Sequence, residues 1–151
     1  MTHHYTECGL DYVFLKNGFT LHETPYGKGV SFDNVPKMNE EIAKIIILNK
    51  PTLEGQDLKF LRLVTNLSQT MLGKMVGVER DAIAKAESQY HKKLSRPMDK
   101  LVRIFALEYI DDQKIRALID KLGDLDDALD KHKMGMMCVE QGETGWELCV
   151  A

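Results

Sequence analysis

Tryptophan occurs once in this 151-residue chain, proline four times and cysteine three times, at Cys8, Cys138 and Cys149. So sparse and odd a set of cysteines excludes a disulfide-stapled scaffold, and a chain of this length can bury a core without staples. The three thiols are therefore expected to be reduced. No unbroken apolar run is longer than four residues, as at Ile45 to Leu48, against the ~20 that a membrane-spanning helix needs. The stretch Met1-Thr2-His3-His4-Tyr5-Thr6-Glu7 has no cationic segment leading into an apolar one. It predicts a protein without a secretory leader, working in the cytoplasm and not at a membrane.

Signatures of catalysis and of metal binding are missing as well. None of the three cysteines has the local pattern of a nucleophile partnered by a histidine. Asp124, Asp126, Asp127 and Asp130 lack the Asp-x-Asp-x-Asp-Gly order and closing glutamate of a calcium loop, and read as the wet face of a helix. Met134, Met136 and Met137 read as core filler or a greasy tail. The chain is thus expected to be no enzyme and to carry no cofactor and no metal.

What is present is the composition of a globular protein, 44% hydrophobic and 28% charged, with a charge asymmetry inside it. Between Ser68 and Arg103 eight cations stand against four anions, a balance of +4, so a total of −3 leaves −7 for the rest. A basic middle between acidic ends predicts one basic face, which is all that a nucleic-acid partner requires.

The first third has the pattern of β structure. Tyr12-Val13-Phe14-Leu15, then Asn17-Gly18, then Phe19-Thr20-Leu21-His22 predicts a hairpin with a tight turn of positive φ. Pro25, Gly27 and Gly29 break the chain before Val30-Ser31-Phe32, a third strand. The stretch from Glu23 to Val30 reads as a tight turn between strands, its two glycines around Lys28 being too little for a phosphate cradle. Asn34 caps a helix through Met38, Ile42, Ile45 and Ile46 to about Leu48, with Pro36 in its first turn.

Beyond Pro51 the pattern is helical. Leu58, Leu61 and Val64 mark one helix, Ser68 caps a second, a third follows Gly77, and Pro97 begins a fourth with Leu101, Ile104, Phe105 and Leu107 as its buried candidates. A fifth carries the apolar stripe Ile115, Leu118, Ile119, Leu122, Leu125 and Leu129. The end of the chain, including Trp146-Glu147-Leu148-Cys149-Val150, is either a terminal hairpin or a loose tail. The fold class expected is α+β, mainly α, in three parts: residues 1–50 a β-hairpin and helix module, 51–110 a helical unit, and 111–151 an amphipathic helix and tail.

The most specific stretch runs from Leu67 to Glu87. Leu72 and Val76 face inward, Gly73 lets the chain approach closely, Gly77 permits a left-handed end to one helix, Val78 plugs the turn and Ile83 anchors the next. Ser68-Gln69, Leu72-Gly73, Gly77-Val78, Ile83 and Glu87 resemble the signature of the Cro/CI-type (XRE) helix-turn-helix family, over roughly residues 53 to 107. The resemblance implies a sequence-specific regulator, a repressor, whose second motif helix enters the major groove of double-stranded DNA. Arg80, Asp81 and Lys85 would then read bases, with Ala82 and Ala84 small enough for close approach. Arg80 suits guanine. Asp81 either pairs with Arg80 or accepts from a cytosine amine. Ser68, Gln69, Lys74, Lys92, Lys93 and Arg96 would meet the phosphate backbone. A homodimer on an inverted repeat is expected, with Ile115, Leu118, Ile119 and Leu122 as its contact.

The joining of a β-rich module to such a domain is similar to the MqsA-type antitoxin regulators, whose N-terminal module binds zinc and a toxin. Zinc is rejected here, because residues 1–50 hold only Cys8, and His3, His4 and His22 complete no ligand spacing. The alternative function is accordingly an antitoxin or adaptor whose N-terminal module or tail binds a partner protein such as a toxin.

Overall fold

A computed structural model describes residues 2–110 and 136–149. The chain is α+β and mainly α, and it divides into two compact units, residues 1–42 with 135–151, and residues 43–134. Among the described residues no helix is long and apolar enough to cross a membrane. The stripe Ile115, Leu118, Ile119 and Leu122 lies outside the described residues.

In the β unit a four-stranded sheet has the order β1 (His3–His4), β2 (Val13–Leu15), β5 (Met137–Gln141), β6 (Trp146–Leu148). β2 and β5 run parallel, with Val13 opposite Met137 and Leu15 opposite Val139. These four side chains are buried, while Phe14 and Cys138 between them are only half-buried. Period-two alternation on both strands selects this register, since a slip by one residue would turn all four away from the core. Tyr5, Leu10, Tyr12, Met38 and Ile42 complete the unit's core. Burial pushes the Tyr5 hydroxyl up to about 12 and the Cys8 thiol up to about 11, so both stay protonated at neutral pH.

β3 (Phe19–Thr24) and β4 (Gly27–Phe32) form a separate two-stranded ribbon, closed by the turn Pro25-Tyr26. Thr24 shapes that turn, its hydroxyl donating to the Gly27 carbonyl at 2.7 Å and accepting from Tyr26 N at 3.3 Å. The hairpin expected across Asn17-Gly18 is therefore displaced along the chain. Gly18 has the positive φ anticipated, 81°, yet the strands on either side of it join different sheets. The cause is the Asn17 side chain, which pairs with the end of β5 as a strand backbone would: Gln141 N donates to its Oδ1 at 2.6 Å and its amide donates to the Gln141 carbonyl at 3.3 Å.

The cysteine expectation needs a correction too. Cys138 and Cys149 form a disulfide, with Cα atoms 5.4 Å apart. Cys138 lies within β5 just before Val139 and Cys149 just after Leu148, one step beyond the Val139–Leu148 pair on the side away from the turn, and Cys149 N donates to the Cys138 carbonyl at 3.0 Å. An odd count says nothing about two thiols that pairing brings face to face; Cys8 alone is free.

α1 (Val35–Asn49) is capped by Asn34, whose Oδ1 accepts from Lys37 N at 3.2 Å. Its second half belongs to the helical unit, with α2 (Gly55–Val64), α3 (Gln69–Val76), α4 (Arg80–Ser88) and α5 (Arg96–Ile110). Ile46, Ile47, Leu53, Leu58, Leu61, Leu72, Ile83 and Leu107 form its core. The inner face of α5 is not the one expected. Leu101, Ile104 and Phe105 are only half-buried, while Asp99, Val102, Arg103 and Ala106 lie inside beside Leu107. Arg103 is fully buried and donates to Asp99 at 2.5 Å and to the carbonyls of Ile47 and Lys50 at 2.7 Å each. Asp99 in turn accepts from Leu53 N at 2.7 Å. A helix ending inside a core leaves carbonyls that must find donors. Arg103 supplies them, so a charged residue takes the place that apolar counting gives to a neighbour.

Candidate nucleic-acid interface

Three residues, Gly77, Val78 and Glu79, join α3 to α4. Ser68 starts α3 by accepting the Met71 N–H at 3.0 Å, which satisfies one donor of the first turn. Gly77 ends it with φ 81°, a conformation that side chains disfavour, and Val78 N closes the turn on the Gly73 carbonyl at 2.8 Å. A Cβ on Gly73 would lie 2.6 Å from the Val78 carbonyl. The turn is therefore tight because residue 73 has no side chain. Beyond it Ile83 is fully buried and anchors α4.

A polar clamp fixes α4 in rotation. Glu87 is buried near its end, and Arg62 of α2 meets it with two bonds, Nε to Oε2 at 2.6 Å and Nη2 to Oε1 at 2.9 Å. The Gln69 amide donates to the same Oε1 at 3.2 Å, and Arg62 Nη1 donates to the Leu67 carbonyl at 3.1 Å. One carboxylate so links α2, the start of α3 and the end of α4. Its hydrogen bonds hold the Arg62 guanidinium still more firmly protonated than usual. Bidentate pairs of this kind restrict orientation as well as distance.

With Ile83 and Glu87 turned inward, the opposite side of α4 is open. Arg80, Asp81, Ala82 and Lys85 are exposed, the side chains of Arg80 and Asp81 by 60% and 95%. Asp81 and Lys85 lie one turn apart on the same side. Of the residues expected at a phosphate backbone, Lys74 projects from α3 and Arg96 starts α5, both exposed. Lys92 and Lys93 are exposed on a loop whose backbone is pinned to the start of α2: Gly55 N donates to the Lys92 carbonyl at 3.1 Å, and Lys93 bridges Glu54. Ser68 is exposed with its hydroxyl engaged in the cap, and Gln69 is half-buried with its amide on Glu87.

The exposed residues expected to meet DNA thus all lie within the helical unit. Arg62 was absent from the sequence expectations. The signal that could have pointed to it is a charged residue among the apolar positions Leu58, Leu61 and Val64, with a glutamate similarly placed at Glu87. No family model matches the chain, nor does any curated protein or solved structure.

Proposed function

We propose that the protein is a sequence-specific double-stranded DNA-binding regulator of the Cro/CI helix-turn-helix type, a repressor that occupies an operator in the cytoplasm as a homodimer. One observation carries the reading: α4 is short, fixed on its inner side by Ile83 and Glu87, and open along Arg80, Asp81, Ala82 and Lys85. A helix held this way can enter the major groove, where each base pair has its own donor and acceptor pattern. Lys74, Lys92, Lys93 and Arg96 then meet phosphates, which sets position without carrying sequence information. Because one such helix spans few base pairs, two copies on an inverted repeat, with half-sites roughly 34 Å apart, supply the affinity that a single unit lacks. In a reducing cytoplasm the Cys138–Cys149 bond opens, and the β5–β6 hairpin then rests on its backbone bonds.

A gel-shift titration with the duplex upstream of the protein's own coding region tests this. Arg80→Ala is expected to lower discrimination between operator and scrambled duplex by about 1–3 kcal/mol. Lys93→Ala is expected to weaken all duplexes alike and to reduce the log–log salt slope by about 1. Equal losses on both duplexes for Arg80→Ala would move that residue to the backbone, and no retarded duplex at low salt would end the reading.

A second reading, an antitoxin or adaptor that also regulates its own gene, draws on the β3–β4 ribbon. Leu21 is 50% and Tyr26 fully exposed, and neither strand has a further neighbour among the described residues. A two-stranded ribbon is marginal by itself, and a partner protein such as a toxin would extend it. Co-purification of a tightly held small protein that Tyr26→Ser releases would favour this reading.

A further inference from the structure

The open side of α4 brings no net charge toward a duplex. Arg80 and Lys85 are matched by two carboxylates, Glu79 at the cap and Asp81, and all four are exposed. Overall attraction to a polyanion therefore falls to Lys74, Lys92, Lys93 and Arg96, which leaves the carboxylates of α4 to be explained. Asp81 is the more telling of the two. Its carboxylate is 95% exposed, and its one ion-pair partner among the described residues, Arg80, stands 3.7 Å away, beyond hydrogen-bond reach. The exposed Lys85, one turn along the same side, forms no ion pair with it. A first-turn carboxylate gains some energy from the helix dipole, but that gain does not require a position facing the groove. An unneutralised carboxylate carried toward phosphates is repelled.

The major-groove edges decide what can offset that repulsion. Guanine presents two acceptors, thymine an acceptor and a methyl group, and adenine an amine beside the acceptor N7. Cytosine alone presents an amine with no acceptor beside it on the same base. We infer that Asp81 is the specificity filter of α4: its carboxylate accepts a hydrogen bond from a cytosine amine in the major groove and rejects sites that lack one. The inference rests on the DNA-binding reading above and deepens it, because Asp81 lowers affinity for every duplex and restores it only at the right base. Its removal should therefore act opposite to that of Arg80, tightening indiscriminate binding while erasing one element of the preferred site.

Selection from a randomised duplex library, run in parallel on the full chain and on Asp81→Asn, tests this, with affinity for one fixed scrambled duplex measured alongside. The wild-type protein is expected to enrich sites with one cytosine position that Asp81→Asn converts to adenine, because an amide pairs with adenine N6 and N7. All other positions should stay as they were. Discrimination at that position should be about fivefold or more, and the scrambled duplex should be bound about threefold to fivefold more tightly by Asp81→Asn at low salt. Asp81→Ser, which keeps a polar group at the start of the helix, should lose the cytosine preference without gaining adenine. An unchanged selected site in Asp81→Asn and Asp81→Ser, both folded by circular dichroism, would overturn the inference and leave DNA reading intact. A wild-type protein that enriches no sequence would overturn both.

Discussion

The two units hold themselves together by different means. Among the described residues every buried charged side chain lies in the helical unit: Lys50, Asp57, Glu87, Asp99 and Arg103. Each has a partner. Arg103 joins Asp99 and two carbonyls, Glu87 joins Arg62 and Gln69, and Lys50 pairs with Asp57 and, at 3.3 Å, with Glu54. The core of the β unit, from Tyr5 and Leu10 to Met137 and Val139, contains no buried charge among the described residues. Its order comes from strand register and from one covalent bond. Apolar contacts are non-directional, so they fill a helical core without fixing how far each helix turns about its axis. Directional bonds to single carboxylates do fix it, and one of these carboxylates, Glu87, lies on the helix whose exposed face is proposed to read DNA.

Two substitutions separate the units, because each has its own probe. Helical circular dichroism reports mainly on the helices, while fluorescence of the single tryptophan, Trp146 in β6, reports on the β sheet. The largest effect is expected for Arg103→Met, which leaves Asp99 buried without its counter-charge and two carbonyls without donors. Removing one partner from a buried pair costs about 3–5 kcal/mol, read as a shift of the circular-dichroism transition in urea. Adding Asp99→Asn should recover part of it, since a neutral amide is less costly to bury than an unpaired carboxylate. A shift below about 1 kcal/mol would break the contrast between the units.

A smaller effect is expected in the β unit. Replacing Cys138 and Cys149 together by serine opens a loop of 11-residue separation, for which chain entropy gives about 3 kcal/mol at most. The loss should move the Trp146 transition and leave the helical one nearly in place. Equal movement of both probes would show that the two units unfold as one.

The helical unit was largely legible because its signals are local. Ser68 accepts an amide N–H three residues on, and Gly77 marks its turn by an otherwise strained φ. What stayed hidden depends on partners far along the chain. Arg62 and Glu87 are 25 positions apart, and nothing near either residue specifies the other. Arg103 was obscured by a related effect: periodicity counts apolar residues, and the demand of the Ile47 and Lys50 carbonyls for donors placed an arginine on the inner face. In the β unit the partner of Asn17 is 124 positions away. Asn17-Gly18 carried the right local conformation and the wrong inference about which strands it joins. The disulfide stayed hidden for a different reason: its partners are only 11 positions apart, but they meet only once the end of the chain is a hairpin whose β5–β6 register sets Cys138 opposite Cys149.

Guanine-methylation interference tests the major-groove placement of α4 most directly. Methyl groups at guanine N7 lie in the major groove, at the edge Arg80 is proposed to bond, whereas those at adenine N3 lie in the minor groove. The account predicts that N7 methylation at one guanine in each half-site abolishes retention by the wild-type protein, that Arg80→Ala becomes indifferent to it, and that N3 methylation has little effect on either. Interference confined to adenine N3, or equal in wild type and Arg80→Ala, would contradict a reading helix that begins at Arg80.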